Sequence, residues 1–369
     1  MAPILIIFSN LGLGGVQKKI VDIVNELSIV QHNLPIYILL RKKGSFDLSR
    51  EINNRNVDII YYTDSFKVKT PLFFPFFVLY KIWQLKPCAV LSFLSPFSLP
   101  VLLAKLLFFW RKFKIVVSED YYTSEIIQYL KYSKLNHVGI RVLYPKADVI
   151  ITQTLSVKKD LIITYNIPKE KIKIIPNWTN LYKAKISDTY KTYDMIYTGR
   201  FAKSKQINVL LLGLIMIKKF NKDVKLALIG DGEERENLVE YIKRNNLQKN
   251  VEFLGIKYDV ENFLKKSKIF AYASQSKAEG FPLAILEAMA MGTPVLTSRF
   301  AGAEEIIKDD ENGYTYNDLD EFVKKTLLLL NNSSLRNSVA SKAKKYVMKY
   351  NSTKNIRYYF KYLGIRISN

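Results

Sequence analysis

The sequence predicts an α/β protein of two domains, each built on a doubly wound parallel β-sheet with helices on both faces. Short apolar runs typical of buried strands alternate with longer stretches typical of helices along the chain. The alternation forms two series, separated by a polar segment without periodicity at residues 176–193. Each series is long enough for its own sheet. Both domains are therefore expected to be Rossmann-like, with residues 176–193 as the hinge between them.

The predicted elements follow one another regularly. The first series has predicted strands at residues 4–8, 36–40, 58–62, 89–93, 114–117, 149–152 and 172–175, and helical patterns that include 17–27, 76–85 and 158–165. The second series has predicted strands at residues 195–198, 226–229, 251–254, 269–273 and 295–297, and helical patterns that include 210–220, 238–245 and 283–291. Two helical patterns, at residues 334–349 and 353–363, end the chain. Ligands of open α/β sheets bind beyond the carboxyl ends of the strands, so we expect the loops there to line one cleft between the domains.

The composition indicates a cytoplasmic protein that does not span a membrane. Cys88 is the only cysteine, which rules out an internal disulfide and indicates a reducing compartment. The first residues have the pattern of a buried strand and lack the basic start of a signal peptide. The longest apolar run, residues 99–110, contains Lys105 and is shorter than the roughly 18–20 residues that cross a bilayer.

The formal net charge is +23, and two stretches are purely basic. Residues 66–117 contain eight Lys or Arg, residues 331–369 contain nine, and neither stretch contains an Asp or Glu. Aromatic residues are interleaved with these cations. The pattern fits docking on an anionic membrane surface, nucleic-acid binding, or solvated lysines over an aromatic core. Because no nucleic-acid motif is present, we expect the membrane surface as the partner and a peripheral location on its inner face.

Two glutamates lie around the start of a predicted helix in the second domain. Glu279 precedes this helix, and Glu287 lies inside it, eight positions later. Pro282 suits the first helical turn. Backbone N–H groups around Leu283 and Ala284 would point at an anion beside Glu279, whose side chain is expected to be free to face a substrate. The segment therefore predicts a site for a sugar attached to a phosphate.

The chain resembles the retaining glycosyltransferases of family 4, which have the GT-B fold of two Rossmann-like domains facing across a cleft. The most specific part of the resemblance is the E-x7-E signature, carried here by Glu279-Gly280-Phe281-Pro282 and by Glu287-Ala288-Met289-Ala290-Met291-Gly292-Thr293-Pro294-Val295. The resemblance covers nearly the whole chain. It implies an acceptor-binding domain at residues 1–180, onto which the helix at 353–369 packs, and a nucleotide-sugar-binding domain at residues 181–352.

The resemblance also implies roles for the residues of this signature. Glu279 would hold the sugar hydroxyls and stabilise oxocarbenium-like charge at the anomeric carbon, either as an electrostatic group or as a nucleophile. Glu287 would accept hydrogen bonds from the ribose hydroxyls. The residues between them that would contact the donor are Gly280, Phe281, Pro282, Leu283 and Ala284.

Arg200 and Lys205 follow the first predicted strand of the second domain. A guanidinium and an ammonium at this edge would stabilise the negative charge that forms when a nucleoside diphosphate leaves a sugar. The pair matches the Gly-Arg-…-Lys motif of the family, whose Arg and Lys grip the diphosphate. Gln206 stands where the family usually has Gly, so the sequence leaves the conformation of this loop open.

Two glycine turns complete the predicted donor site. Gly230-Asp231-Gly232 ends a strand and matches the turn that lies near the nucleotide in the family. Leu254-Gly255-Ile256 corresponds to the segment whose backbone meets the base. The resemblance thus implies donor contacts for Gly230, Gly232 and Ile256.

The first domain carries a further glycine turn and two candidate acceptor contacts. Gly14 and Gly15 allow close approach of the backbone to a phosphate or sugar, and the resemblance places them in a loop that closes over donor and acceptor. A dinucleotide site would need an acid after the second strand, where the chain has Arg41. Gln17 and Glu119 stand where many relatives have Glu and His. Glu119 could equally be a loop or capping residue.

No cofactor and no metal are expected. Asp318 and Asp320 have the spacing of a metal-binding motif but fall at a predicted helix start, where an aspartate serves as an N-cap. The two histidines, His32 and His137, lie outside every motif. We therefore favour a front-face mechanism, in which the leaving phosphate deprotonates the acceptor.

The resemblance thus implies a retaining hexosyltransferase. Its donor would be a UDP-sugar, in particular UDP-N-acetylhexosamine or UDP-hexose, and its acceptor a lipid-linked molecule or a polysaccharide of the cell surface. Two alternatives stay open. A GT-B sugar-nucleotide epimerase would need acid/base groups that the motifs lack, and a non-catalytic partner subunit would be expected to have lost one of the four charged motif residues.

Overall fold

The computed structural model describes residues 2–44, 47–53, 55–65, 71–130, 132–179, 191–275 and 279–366. The chain divides into two compact units. The first unit comprises Met1–Asn177 together with Ser352–Asn369, and the second unit comprises Trp178–Asn351. Each unit has its own parallel sheet.

The first unit is built on a seven-stranded sheet in the order β3-β2-β1-β4-β5-β6-β7. Its strands are β1 (Ile4–Phe8), β2 (Ile36–Leu40), β3 (Val57–Tyr61), β4 (Ala89–Phe93), β5 (Lys114–Glu119), β6 (Val149–Thr152) and β7 (Ile172–Ile174). All neighbouring strands pair in parallel. The central strands β1 and β4 are buried along their whole length because helices cover both faces, which explains why they read as continuous apolar runs.

Helices connect these strands. They are α1 (Gly15–Val30), α2 (Tyr62–Ser65), α3 (Phe74–Leu85), α4 (Ser95–Leu107), α5 (Thr123–Ile127), α6 (Ser133–Leu143) and α7 (Leu155–Tyr165). α1 buries Val16, Ile20, Val24 and Leu27, the spacing of a helix with one apolar face. α3 packs against α4, and α4 packs against α6, so these three helices form one layer.

The second unit is built on a six-stranded parallel sheet in the order β10-β9-β8-β11-β12-β13. Its strands are β8 (Tyr193–Thr198), β9 (Leu226–Ile229), β10 (Val251–Gly255), β11 (Ser267–Tyr272), β12 (Val295–Ser298) and β13 (Tyr314–Tyr316). Its helices are α8 (Ile207–Ile217), α9 (Arg235–Arg244), α10 (Val260–Lys265), α11 (Leu283–Met291), α12 (Ala301–Glu304), α13 (Leu319–Asn331) and α14 (Ser333–Val347). Every strand predicted from the sequence is present. The edge strand β13 is not predicted, since its three residues are too short to show a pattern.

The last helix, α15 (Ser352–Leu363), belongs to the first unit. It buries Ile356, Tyr359, Phe360 and Leu363, which lie on one helical face, and it packs against α1 and β5. The Tyr359 hydroxyl lies 3.3 Å from Ser118 Oγ, and Asn355 Nδ2 donates to the carbonyl of Pro176 at 3.0 Å. The first unit is therefore discontinuous in sequence.

Within the described part of the chain, no helix combines the length and the apolar character needed to cross a bilayer.

Candidate active site

Lys205 and Glu279, which are far apart in sequence, meet beside Tyr272 in the second unit. Lys205 ends a short 3-10 turn after β8, Tyr272 ends β11, and Glu279 lies shortly before α11. The Lys205 ammonium forms an ion pair with Glu279 Oε2 and donates to the Tyr272 hydroxyl at 2.8 Å. The Tyr272 hydroxyl donates to the same Glu279 oxygen at 3.2 Å. We call these three residues the Lys205–Tyr272–Glu279 cluster.

The environment of the cluster controls its charge. The side chains of Lys205 and Glu279 are only 19% and 10% exposed. Burial lowers the pKa of the Lys205 ammonium to about 7, because a charge loses hydration there. The Glu279 carboxylate acts in the opposite direction and favours the ammonium form. Lys205 is thus a cation that depends on a neighbouring anion.

The expectation about Glu279 holds in part. It lies on a loop before α11, as predicted, but it is not free: the residue is only 7% exposed and its carboxylate is held by Lys205 and Tyr272. The physical reason is that a buried carboxylate needs charged or hydrogen-bonding partners. Tyr272 is the residue that sequence analysis missed. Its position at the carboxyl end of a strand, two residues after the buried Phe270, is the signal that could have indicated it.

The helix after Glu279 has the predicted bounds. Pro282 lies at the N-cap of α11, one position before the predicted first turn, and Leu283 begins the helix. Gly292 ends it with the left-handed φ of 71° that favours glycine. Gly280, Phe281 and Pro282 are buried, whereas Leu283 and Ala284 are half-buried. Glu287 lies half-buried inside the helix.

Arg200 is not part of the cluster. Its guanidinium pairs with Glu233, at 3.0 Å from Nη2 and 3.1 Å from Nε to the carboxylate. The Arg200 side chain is 71% exposed. Ion pairs at the surface contribute only about 0–1 kcal/mol, so turning this side chain toward another anion costs little.

The glycine turns of the second unit lie together at one edge of the sheet. Gly199 N–H donates to the carbonyl of Ile229 at 3.0 Å, and Gly230 N–H donates to that of Gly255 at 2.9 Å. A Cβ atom at Gly230 would collide with the Gly199 carbonyl, and the φ of Gly230 is 134°. Glycine is therefore required here. These contacts bring the loops after β8, β9 and β10 together at the carboxyl edge of the sheet, where ligands of such sheets bind. Gly232 lies in the loop after β9, and Ile256 lies in the loop after β10.

Gln206 adopts a left-handed conformation, with φ 45° and ψ 39°. It follows Lys205 and forms the N-cap of α8 without a side-chain hydrogen bond to the helix. Glycine adopts this conformation without the steric penalty of a Cβ atom, which explains why a glycine suits this position.

In the first unit, the glycine turn after β1 is organised by Asn10. Its Oδ1 accepts from Gly12 N–H at 2.8 Å and from Gln17 Nε2 at 3.5 Å. Gly14 is the N-cap of α1 and Gly15 its first residue. A Cβ atom at Gly14 would meet the end of the Gln17 side chain, which would have to move.

Glu119 differs from its predicted environment. β5 continues two residues beyond the predicted end, so Glu119 lies in the strand and not on a loop. Its carboxylate accepts from the hydroxyls of Tyr144 and of Thr123, the latter at 3.1 Å. Burial raises the pKa of Glu119 to about 8. The Glu119 carboxylate, predicted to contact the acceptor, is therefore already hydrogen-bonded to the buried Tyr144 and Thr123.

The next residue, Asp120, forms a buried ion pair with Lys19 of α1.

Asp318 is an N-cap, as predicted. Its side chain accepts from Glu321 N–H at 2.9 Å at the start of α13. Among the described residues there is no group of three or more His, Cys, Asp or Glu placed to hold a metal ion.

Residues 181–346 match the sequence profile of the family Glycosyl transferases group 1. This region is thus similar to group 1 glycosyltransferase domains. It lies inside the second unit and contains the Lys205–Tyr272–Glu279 cluster and the three glycine turns. The match supports the sequence-based prediction of a glycosyltransferase.

Individual known proteins resemble the chain as well. The N-acetylgalactosamine-N,N'-diacetylbacillosaminyl-diphospho-undecaprenol 4-alpha-N-acetylgalactosaminyltransferase of Campylobacter jejuni is 28% identical over 69% of this chain and 71% of its own length. An uncharacterized glycosyltransferase of Methanocaldococcus jannaschii is 30% identical, but the match spans only 47% of its length. The crystal structure of Anabaena HepE in complex with UDP-glucose superimposes with a TM-score of 0.81 at 18% identity, covering 98% of this chain and 99% of HepE. The predicted fold class, two Rossmann-like α/β domains of the GT-B type, is confirmed.

Proposed function

We propose that this protein is a retaining glycosyltransferase of the family 4 type, which transfers a sugar from a UDP-linked donor to a lipid-linked or polysaccharide acceptor in cell-surface glycan synthesis. The observation that carries the proposal is the buried Lys205–Tyr272–Glu279 cluster near the start of α11, inside the region similar to group 1 domains. A buried ammonium and a helix N-terminus favour an anion, and a carboxylate favours a developing cation. These are the two charges that form when an anomeric carbon separates from a phosphate oxygen.

In the proposed reaction, the bond between the anomeric carbon and the phosphate oxygen breaks, and its electrons leave with the nucleoside diphosphate. Lys205 stabilises the charge on that oxygen, together with Arg200 once it has turned from Glu233. Glu279 holds the sugar hydroxyls and stabilises the positive charge on the sugar. The acceptor hydroxyl attacks from the face that the phosphate leaves and gives its proton to the phosphate oxygen, so the anomeric configuration is retained. No histidine base, cofactor or metal ion takes part in this scheme.

The donor contacts follow from the loops at the carboxyl edge of the second sheet. Gly230 and Gly232 allow the backbone to approach the diphosphate, and the backbone of Ile256 meets the base. Glu287 accepts from the ribose hydroxyls. A UDP-linked donor is proposed because the fold of HepE, which this chain shares, is known with UDP-glucose bound.

A lipid-linked acceptor is proposed because the Campylobacter relative is named for a diphospho-undecaprenol acceptor. An acceptor with a polyprenol chain stays in the bilayer, so the enzyme would have to work at the membrane. We accordingly propose a peripheral cytoplasmic protein on the inner face of the membrane.

The first experiment measures nucleotide release from UDP-, GDP- and ADP-sugars, with and without an extract of lipid-linked acceptors. We expect release from one UDP-sugar, stimulated by the extract. The substitutions Glu279→Gln and Arg200→Ala should each lower turnover by roughly two orders of magnitude or more, as loss of one transition-state charge partner does. Glu240→Gln serves as the matched control, since Glu240 pairs with Arg244 on the surface of α9.

Several outcomes would contradict the proposal. Near-normal turnover of both Glu279→Gln and Arg200→Ala would refute the site. Folded protein that binds UDP but releases nucleotide from no donor would favour a non-catalytic partner subunit. The anomeric configuration of the product, read by NMR coupling constants, tests retention separately.

A further inference from the structure

The layer formed by α3, α4 and α6 exposes an unusual number of large apolar side chains on the first unit. On α3 and the turn before it these are Phe73, Phe76, Tyr80 and Trp83. On α4 and the loop after it they are Leu103, Leu106, Leu107, Phe109 and Trp110. On α6 they are Leu135, Val138 and Val142. We call this set the α3–α4–α6 face.

The loop after α4 is the most prominent part of this face. Phe109 and Trp110 are 80% and 62% exposed, and their rings contact each other edge to face with centroids 5.1 Å apart. Arg111 Nη1 donates to the carbonyl of Trp83 at 2.8 Å, which ties this loop to the end of α3. The exposed rings after α4 therefore lie near the end of α3, and large exposed apolar patches mark interaction sites.

Cations outnumber anions around these side chains, although the exposed Asp148 pairs with Lys105 of α4 at 2.6 Å. From residue 66 to residue 117 the sequence has no Asp or Glu, and α6 has none either. Lys86, Lys112, Lys134 and Arg141 are exposed on these elements or directly beside them. Lys81 is half-buried and lies over the ring of Tyr80 at 5.5 Å. Aromatic rings with Lys and Arg around them are the composition of surfaces that lie in the headgroup region of anionic bilayers.

The second basic stretch, residues 331–369, differs. Three of its aromatic residues, Tyr350, Tyr359 and Phe360, are buried in the cores of the two units. Tyr346 and Tyr362 are half-buried, and Tyr358 is exposed. This stretch therefore lacks the group of exposed Phe and Trp side chains that the first stretch has.

We infer that the α3–α4–α6 face docks on a bilayer that contains anionic phospholipid, with Phe109 and Trp110 inserted among the headgroups. This inference rests on the membrane association in the proposed function and names the surface that performs it. A second copy of the chain fits this face less well. A two-fold contact would place its lysines against one another, and lysine is depleted in protein interfaces.

Flotation of the full chain with vesicles tests the inference. Vesicles of phosphatidylcholine mixed with phosphatidylglycerol should carry the protein, and vesicles of phosphatidylcholine alone should carry much less. The double substitution Phe109→Ser and Trp110→Ser should weaken binding roughly tenfold or more, because two large apolar side chains no longer leave water. Phe220→Ser is the matched control, since Phe220 is 74% exposed at the end of a helix of the second unit.

Tryptophan fluorescence locates the contact independently. The chain has three tryptophans, of which Trp83 and Trp110 lie on the face, while Trp178 is 4% exposed. Brominated phospholipids should quench the emission of wild-type protein, and Trp110→Phe should remove much of that quenching.

Equal binding to both kinds of vesicle, or unchanged binding of the double variant, would overturn the inference. Concentration-dependent self-association that the double substitution abolishes would overturn it in favour of a protein interface. The rate of donor cleavage measured in detergent, where no bilayer is present, distinguishes failure of this inference from failure of the proposed function. The double variant should keep that activity, and Glu279→Gln should lose it while still binding vesicles.

Discussion

Tyr272 has the most consequential position among the individual residues of the candidate active site. Its hydroxyl accepts from the Lys205 ammonium and donates to the Glu279 carboxylate, so it orients both charged groups. It is buried at the end of β11, where it cannot move away. The positions of the Lys205 ammonium and the Glu279 carboxylate relative to a bound donor therefore depend on Tyr272, which is itself uncharged.

Tyr272→Phe should lower kcat/KM of donor cleavage by roughly ten- to a hundredfold, because a hydrogen bond to a charged group contributes about 1.5–3 kcal/mol. Steady-state kinetics of the variant measure this. Tyr314→Phe is the control, as Tyr314 is a buried tyrosine of the same unit whose ring packs near Lys325. Equal effects of the two substitutions would mean that Tyr272 serves packing alone.

The ammonium of Lys205 makes the reaction sensitive to pH. Its pKa is lowered to about 7 by burial, so the charged form is complete below that value and is lost as the pH rises through it. The kcat/KM of donor cleavage should accordingly fall as the pH rises through about 7. This pH is well below the pKa of an ordinary lysine. In Lys205→Arg, which stays charged, this alkaline limb should disappear even if the rate is lower. A limb that persists in Lys205→Arg belongs to another group.

Among the elements, α8 and α11 show how local chemistry sets the edges of the site. Gly292 ends α11 in the left-handed conformation, as its sequence indicates. α8 begins after Gln206, which has the same kind of conformation without being glycine. The start of α8 therefore contains strain next to Lys205, and strain of this kind is found at functional sites.

Gln206→Gly should raise the free energy of unfolding by roughly 0.5–1 kcal/mol, because the left-handed penalty of a Cβ atom exceeds the entropy that glycine adds to the unfolded chain. The midpoint of urea unfolding is the measurement. Gln206→Ala keeps the Cβ atom and should change the midpoint little. A lower midpoint for Gln206→Gly would show that the glutamine side chain itself stabilises the loop.

At the scale of the whole molecule, the chain leaves the first unit at Asn177 and returns to it at Ser352. The second unit has a core of its own, formed by residues between Tyr193 and Tyr350. The core of the first unit, in contrast, includes Tyr359 and Phe360 of α15. The stability of the first unit thus depends on α15.

Deletion of residues 352–369 should unfold the first unit and spare the second. Loss of a large buried aromatic costs about 3–5 kcal/mol, and two of them approach the whole stability of a domain. Calorimetry should show that one transition is lost, while UDP binding persists. Deletion of residues 367–369 alone is the control. Loss of both transitions would show that the second unit cannot fold without the first.

Sequence by itself determined the alternation of strands and helices, the two Rossmann-like sheets, and the glycines of the tight turns. These features depend on local periodicity and backbone freedom, which neighbouring residues reveal. Only the tertiary structure decided that Lys205 and Glu279 form a direct ion pair beside Tyr272, that Glu119 is buried, and which aromatic residues face outward. Burial and pairing depend on residues distant in the chain that folding brings together. A lysine that binds a carboxylate and a lysine on a solvated surface therefore look the same until the sheets are assembled.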